Sequence, residues 1–451
     1  MRPPGSLFAA VRNRWPSRAA VDPAAEAVIA VGSPHDPSGR RIVRRHRWIV
    51  IAVGIVVLAA KLVVAATTRG TNDVLHWYHF AAAVAQDGPV GVYAHHFVRD
   101  ELYNHPPVIG FYLEALNVLQ NWGIPLRFTI RAVSSAADVL TAVLIFEILR
   151  QRRSLRRATA SGVLVAASPV LFIISGFHGN TDPLFTMLVI AGLYLLAVRN
   201  APVWAGCAVG LAVGIKVVPV IVIPALVVYA FRRGRPVLLR FVSAMLGVVL
   251  LTWAPAVLLQ LHALVRNVLG YAGSAGRQWG LVQFGHWAGN PGWVDFLIGP
   301  GRMIIVLICA AIPAWLVWQH PPSLPNAIGL SLGLFLCLSP AFGHQYLAWP
   351  AAALFLVSFW GAAAYNLLAG ALLLVVYDRW SKGFPWDRAF ASAMTPGETV
   401  FGVLVWAVLC AVLFAGFRAE LPHLLPGRRA VRARRTREPQ TTSRWIDPPA
   451  N

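Results

Sequence analysis

TNDVLHWYHFAAAVAQDGPVGVYAHHFVRDELYNHPP, residues 71–107, decides how the chain is read. It follows the first long apolar run and precedes all the others. It gathers four acids (Asp73, Asp87, Asp100, Glu101), five histidines (His76, His79, His95, His96, His105) and Arg99. In a chain that is 57% hydrophobic and 13% charged, polar chemistry has few places to occur. This stretch reads as the roof of a reaction site, and the apolar remainder as the frame beneath it.

Outward from that stretch, a mean hydropathy of +0.61 over 451 residues describes a polytopic membrane protein and excludes a large soluble enzyme. Apolar runs lie at roughly 48–67, 128–149, 158–174, 183–198, 201–214, 216–231, 238–259, 302–318, 326–341, 347–361, 362–378 and 398–417. They predict an all-α fold with about twelve transmembrane helices (eleven to thirteen). Several runs are near or below the ~17–25 residues of a straight span, so 201–231 and 347–378 allow other divisions. Residues 107–123 are short, begin with Pro106-Pro107 and contain Glu114. They are expected to lie at the outer interface or dip in partway, with a further span as the alternative.

The net charge of +21 is not a nucleic-acid signal, because the arginines sit in the tails and in short runs between apolar segments. That is the positive-inside pattern. It places RQRRSLRR, FRRGRPVLLR and both termini in the cytoplasm, and the loops 68–127, 260–301 and 379–397 outside. Residues 1–46 are expected to be a disordered basic tail, 47–417 the membrane domain and 418–451 a second basic tail that holds anionic lipid. Cys207, Cys309, Cys337 and Cys410 all fall in apolar runs and read as small core residues, with neither a disulfide framework nor metal spacing. Trp279, Trp287 and Trp293 in the 260–301 loop suit a headgroup belt or the faces of sugars.

Several residues carry possible chemistry. Asp73 opens the run VLHWYHFAAAVA, and its carboxylate could take a proton from a hydroxyl; Asn72 or Asp73 as a simple helix cap is the plainer alternative. YNHPPV (103–108) sets His105 at a rigid corner facing outward. GFHGNTDPLF (176–185) puts His178 and Asp182 near the outer ends of helices, where Asp182 could merely start one. Lys216 stands in an apolar stretch and needs a partner, a water-filled cavity or an anion such as phosphate, unless it snorkels to the interface. His344, Gln345 and Tyr346 form a short outward turn in SPAFGHQYLAWP, and Arg277 and His286 add donors from the preceding loop. No histidine spacing here matches a metal-ligand pattern.

The Asp73 loop, YNHPP, GFHGNTDPLF, IKVVPVIVIPAL and HQY at 344–346 together resemble the C-type glycosyltransferase superfamily (GT-C), in particular its bacterial polyprenyl-phosphate-mannose-dependent members. The resemblance covers about residues 48–365 at the level of layout. It implies transfer of a sugar, mannose by default, from a polyprenyl-phosphate donor to an extracytoplasmic glycan or glycolipid acceptor. It implies inversion in a single displacement, with Asp73 as general base. Lys216, His344 and Arg277 would face the donor phosphate, and His105, Asp182, His178, Gln345 and Tyr346 would shape the sugar or acceptor site. No cofactor is implied. Asp73 lacks the adjacent second acid of some members, which argues against a bound divalent metal, while Asp100 and Glu101 keep a second position for the base open. A secondary transporter, with ionisable groups at mid-depth and matching halves, is the alternative from another class.

Overall fold

The computed structural model describes residues 37–98, 102–271, 273 and 278–424. The fold is all-α, and among the described residues the single β-type pairing is an isolated bridge between Gly70 and Arg388. In chain order the helices are α1 (Pro37–Thr67), α2 (Asn72–Gly91), α3 (Pro107–Asn121), α4 (Leu126–Leu149) and α5 (Leu155–Ala166). After α5 the chain continues through Pro169–Ile173 and a π turn at Ile174–His178. Then come α6 (Asp182–Ala197), α7 (Pro202–Ile215), α8 (Ile223–Arg233), α9 (Arg235–Leu264), α10 (Gly280–Trp287) and α11 (Pro291–Ile298). Last are α12 (Gly301–Gln319), α13 (Leu324–Leu338), α14 (Phe359–Ser381) and α15 (Pro396–Leu424).

Eight segments among the described residues are long and apolar enough to cross a membrane: 38–67, 126–149, 155–178, 235–269, 301–319, 321–338, 359–381 and 396–424. Four of the twelve expected runs, 183–198, 201–214, 216–231 and 347–361, fall outside these eight. Two apolar runs are broken where hydropathy alone reads them as continuous. Run 216–231 contains Pro219 and Pro224 and splits into a 3₁₀ turn, Val218–Val222, and the short α8. Run 347–361 splits into three short pieces between His344 and Leu356. Helix α1 begins at Pro37 and α15 runs to Leu424, so residues 37–46 and 418–424 are helical. The rest of both tails lies outside the described residues.

The shorter apolar helices, 182–197 and 202–215, create the site. At 1.5 Å per residue they reach about 24 and 21 Å, short of a ~30 Å hydrocarbon layer. Each has one end at the same end of the molecule, where the chain is irregular at 179–181, 216–217 and 339–343. Helix α3 packs on α2 and α7 at that end and is shorter than the spans. Helix α9 is mostly exposed and meets α7 at Gly206, where a Cβ would lie 2.2 Å from the Phe241 carbonyl oxygen. Only glycine permits that approach.

The opposite end is rich in arginine. Arg47 and Arg150 both hold Glu147, at 2.6 and 2.7 Å, and Arg232 donates to the Trp318 carbonyl at 2.8 Å. Across the site end, the start of the first loop is tied to the last one. The Arg69 and Gly70 N–H groups donate to Asp387 O, the Ala389 N–H returns to Gly70 O, and the Arg69 side chain pairs with the Asp387 carboxylate.

Candidate active site

The site starts from how 178–181 is held. Three consecutive carbonyls are each taken by a side chain: His178 O by Thr71 Oγ1 (2.9 Å), Gly179 O by Trp77 Nε1 (2.9 Å) and Asn180 O by Ser134 Oγ (2.6 Å). Gly179 turns at φ +80°, and a Cβ there would meet Val74 at 2.6 Å. The end of α1 is fixed by Arg131, which is fully buried and donates to Ala65 O, Thr68 O and Thr68 Oγ1. A guanidinium removed from solvent needs this many acceptors to remain charged.

Thr71, rather than Asn72 or Asp73, caps α2: its hydroxyl accepts from the Asp73 N–H at 3.3 Å. The Asp73 carboxylate is therefore not consumed by capping. His178 Nε2 lies 2.8 Å from its Oδ2, and Asn180 Nδ2 lies 3.4 Å from the same oxygen. His178 Nδ1 contacts the Tyr377 hydroxyl. With Nε2–H donating to Asp73, Nδ1 accepts from Tyr377, so a neutral imidazole satisfies both contacts. Asp73 keeps 33% of its side chain exposed. Burial pushes its pKa up, but the contact with His178, helped by His76 and Lys216, outweighs this and leaves it below the ordinary carboxylate value.

Lys216 has the partner that its position demands: it pairs with Asp182. Trp349 Nε1 takes the other Asp182 oxygen at 2.7 Å. The ammonium lies 5.3 and 5.5 Å from the ring centroids of Tyr346 and Trp349, which stack at 4.1 Å. Asp182 itself has no exposed surface, so it cannot contact a sugar directly; it starts α6 and serves as the counter-ion of Lys216. Tyr346 is likewise buried beneath the cation.

His105 sits among aromatic side chains at the Asp73 end. Its ring lies 4.5 Å from Trp77 and packs near Phe80 and Tyr103. Burial first, then Lys216, push it down to about 3 against the opposing pull of Asp73, so it is a neutral imidazole beside the site. His344 and Gln345 are half-buried at the start of a 3₁₀ turn, within the short turn expected between two apolar runs. The His344 ring meets Trp380 at 4.7 Å and Tyr377 at 6.4 Å, and its Nε2 is buried without a hydrogen-bond partner. Burial, then His178, push it to about 3. Arg277, Asp100 and Glu101 lie outside the described residues.

Thus Asp73, His178, Lys216, His105 and His344 surround one region, through Tyr377, Trp77 and Trp349. Of the loop tryptophans, Trp279 is not a belt residue. It is buried, donates to Leu336 O at 2.9 Å and stacks on Phe342, while Trp287 and Trp293 are exposed. A cavity of about 590 Å³ is lined by residues 93–97, 102–103, 259–263 and 266–267. Tyr103 on its wall packs against the His105 ring. The sequence reading did not single out Tyr377, Asn180, Arg131 or Trp349. Asn180 stood within a quoted motif, and Arg131 was a visible charge in an apolar run. Tyr377 and Trp349 had no signal beyond aromatic character at the end of such a run.

Residues 104–259 match the model of a family described as dolichyl-phosphate-mannose-protein mannosyltransferase. The matched part is less than half of the chain and contains His105, His178, Asn180, Asp182 and Lys216, while Asp73, His344 and Tyr377 fall outside it. The match agrees with a membrane-embedded glycosyltransferase. No curated protein matches the chain.

Proposed function

We propose that the chain transfers a sugar, most simply mannose, from a polyprenyl-phosphate donor to a hydroxyl of a glycan or glycolipid acceptor, inverting the anomeric carbon. The observation that carries this reading is the Asp73 carboxylate: one oxygen is oriented by His178, a third of the group is open, and the Lys216 cation stands on the same recess. The family match over 104–259 supports the same class.

The acceptor oxygen attacks the anomeric carbon. Its proton passes to Asp73, the bond from that carbon to the phosphate oxygen breaks, and the electron pair leaves with the polyprenyl phosphate. Asp73 is held ionised by His178, which suits a base but lowers its strength. An anionic phosphate arriving near Lys216 adds like charge and raises the carboxylate pKa toward a more useful range. Lys216 and the unpartnered Nε2 of His344 stabilise the leaving phosphate, and Arg277 from the 260–301 loop is assigned to the same task. His105, His178, Gln345 and Tyr346 border the sugar or acceptor, with Asp182 acting through Lys216. Asp100 and Glu101 are the second place to seek the base. No cofactor enters the step, and nucleic acid has no part in it.

The arginine-rich end faces the cytoplasm together with both termini, and the Asp73 end faces outward, by the positive-inside rule. Residues 47–417 form the catalytic body between two basic tails that rest on anionic lipid. The test is transfer by purified protein in lipid, using radiolabelled polyprenyl-phosphate-mannose and a mixed acceptor extract. Labelled glycan or glycolipid product supports the reading. No product with any polyprenyl-phosphate sugar, together with solute uptake by the same proteoliposomes, overturns it in favour of a transporter.

A further inference from the structure

We propose that His320, Glu420 and His423 form a binding site for a divalent transition-metal ion of the zinc type, at the end of the molecule opposite Asp73. The three residues come from two elements nearly a hundred positions apart. His320 follows α12 at the corner before Pro321-Pro322, while Glu420 and His423 are three residues apart on α15 and share one face.

The corner is built rather than loose. The His320 N–H donates to Leu316 O at 2.9 Å, and the Ser323 N–H and Oγ both return to His320 O, at 2.8 and 2.7 Å. The carboxylate is oriented from behind: Asn326 Nδ2 donates to Glu420 Oε1 at 2.9 Å and to Gly416 O at 3.1 Å. That leaves Oε2 toward His320 Nδ1 at 3.3 Å. An outer residue fixing a ligand carboxylate in this way is a usual feature of metal sites. The two imidazoles stack with centroids 4.3 Å apart and planes 18° apart.

One ligand atom from each of the three residues lies within 4.8 Å of the others. Tetrahedral coordination at 2.0–2.2 Å sets ligand atoms about 3.4 Å apart. Closure therefore takes an inward movement of about 1 Å, within reach of His423, which is exposed near the end of α15. The 3.3 Å separation of His320 from Glu420 is long for a charge-assisted hydrogen bond, which closes to about 2.7–2.9 Å. Two nitrogens and one carboxylate oxygen form the ligand set of many zinc sites, with water completing the shell. Arg152, which donates to Pro322 O, lies within the field of Glu420 and is the nearby charge that the ion must overcome. A bound ion ties the end of α15 to the α12–α13 corner. The site plays no part in sugar transfer and stands whether or not that reading holds.

The test uses the full chain, carrying an affinity tag without histidine, in nanodiscs, stripped with a chelator and dialysed. Co²⁺ is titrated while its visible absorption is followed, then displaced with Zn²⁺, and bound metal is counted by mass spectrometry. The expected result is one ion per chain with the intense absorption of tetrahedral cobalt. Affinity falls at least about a hundredfold in His423→Ala and in His320→Asn, and about tenfold to a hundredfold in Asn326→Ala. Size-exclusion profiles establish that each variant is folded, and His423→Ala removes only an exposed side chain. Absence of binding to the wild type, or binding that survives both histidine changes, overturns the proposal.

Discussion

Among the described residues two lysine–aspartate pairs lie between helices, and they differ in one respect. Lys61 and Asp138 meet at 2.6 Å with 1% and 3% of their side chains exposed, and Ser175 Oγ adds a second contact to Asp138 at 2.5 Å. Lys216 and Asp182 also pair, but the lysine keeps 20% of its side chain exposed while the aspartate has none. The first pair is sealed between α1, α4 and the π turn after α5. The second sits where α6 and α7 stop short, with its cation over two aromatic rings and within the field of Asp73. A sealed pair has no access for a solute or a phosphate, so it is structural. An open cation backed by a closed anion is arranged to meet a third charge. The same difference weighs against a transport path through Lys61 and Asp138, since such a path needs ionisable groups that face a cavity.

The largest effect is expected from breaking the sealed pair. Asp138→Leu leaves Lys61 buried without a counter-charge and costs about 3–5 kcal/mol, seen as loss of monodisperse protein or a steep fall in melting temperature. The double change Lys61→Met with Asp138→Leu removes both charges and restores most of the loss. If the double change were as damaging as the single one, charge pairing would not be what the two residues provide. Next comes the open pair. Lys216→Met is expected to lower kcat/KM for the lipid-linked donor about 10²–10³-fold, as for loss of one donor to a developing anion. Its melting shift should be smaller than that of Asp138→Leu, because Trp349 still serves Asp182 and water can enter from the recess. Equal melting losses in the two variants would erase the distinction between the pairs.

A smaller effect is expected at Tyr377, which orients His178 and does not reach the substrate. Tyr377→Phe removes one hydrogen bond and should reduce kcat roughly threefold to tenfold with little change in KM. The smallest effect is with pH. Asp73 titrates below its ordinary value of 3.8, so its contact with His178 stabilises the fold above that pH. That contribution is lost as pH falls through the lowered pKa. His105 and His344, both near 3, are neutral from about pH 5 upward. The profile of kcat/KM between about pH 5 and 8 should therefore show no limb from these three groups. A limb near pH 6 that vanished in Asp73→Asn would mean that burial, and not His178, governs the carboxylate.

Much of this site was legible from residue type and position. Asp73, His178, His105, Lys216 and His344 stood out as polar groups in an apolar chain, and the structure brings them together. Their mutual arrangement was not legible. The partner of Lys216 lies on a different helix, and a short run such as NTDP explains Asp182 equally well as a helix start. Thr71 took the cap that Asn72 or Asp73 was expected to supply, because its hydroxyl could also bind His178 O. Tyr377 closes an apolar run, where a tyrosine signals an interface as readily as a hydrogen-bond donor. Prolines break two of the apolar runs, and average hydropathy does not register this, since it records composition and not continuity. Pro219, Pro224 and Pro350 were the available warning.

The most direct measurement is sugar transfer by Asp73→Asn beside the wild type, in lipid, with matched size-exclusion profiles and melting temperatures. The amide keeps the size of the side chain and can still contact His178, but it cannot take the acceptor proton. The account predicts a folded protein whose kcat falls at least about 10²-fold while donor binding persists. Transfer at the wild-type rate by folded Asp73→Asn would contradict it, and would move the base to Asp100 or Glu101.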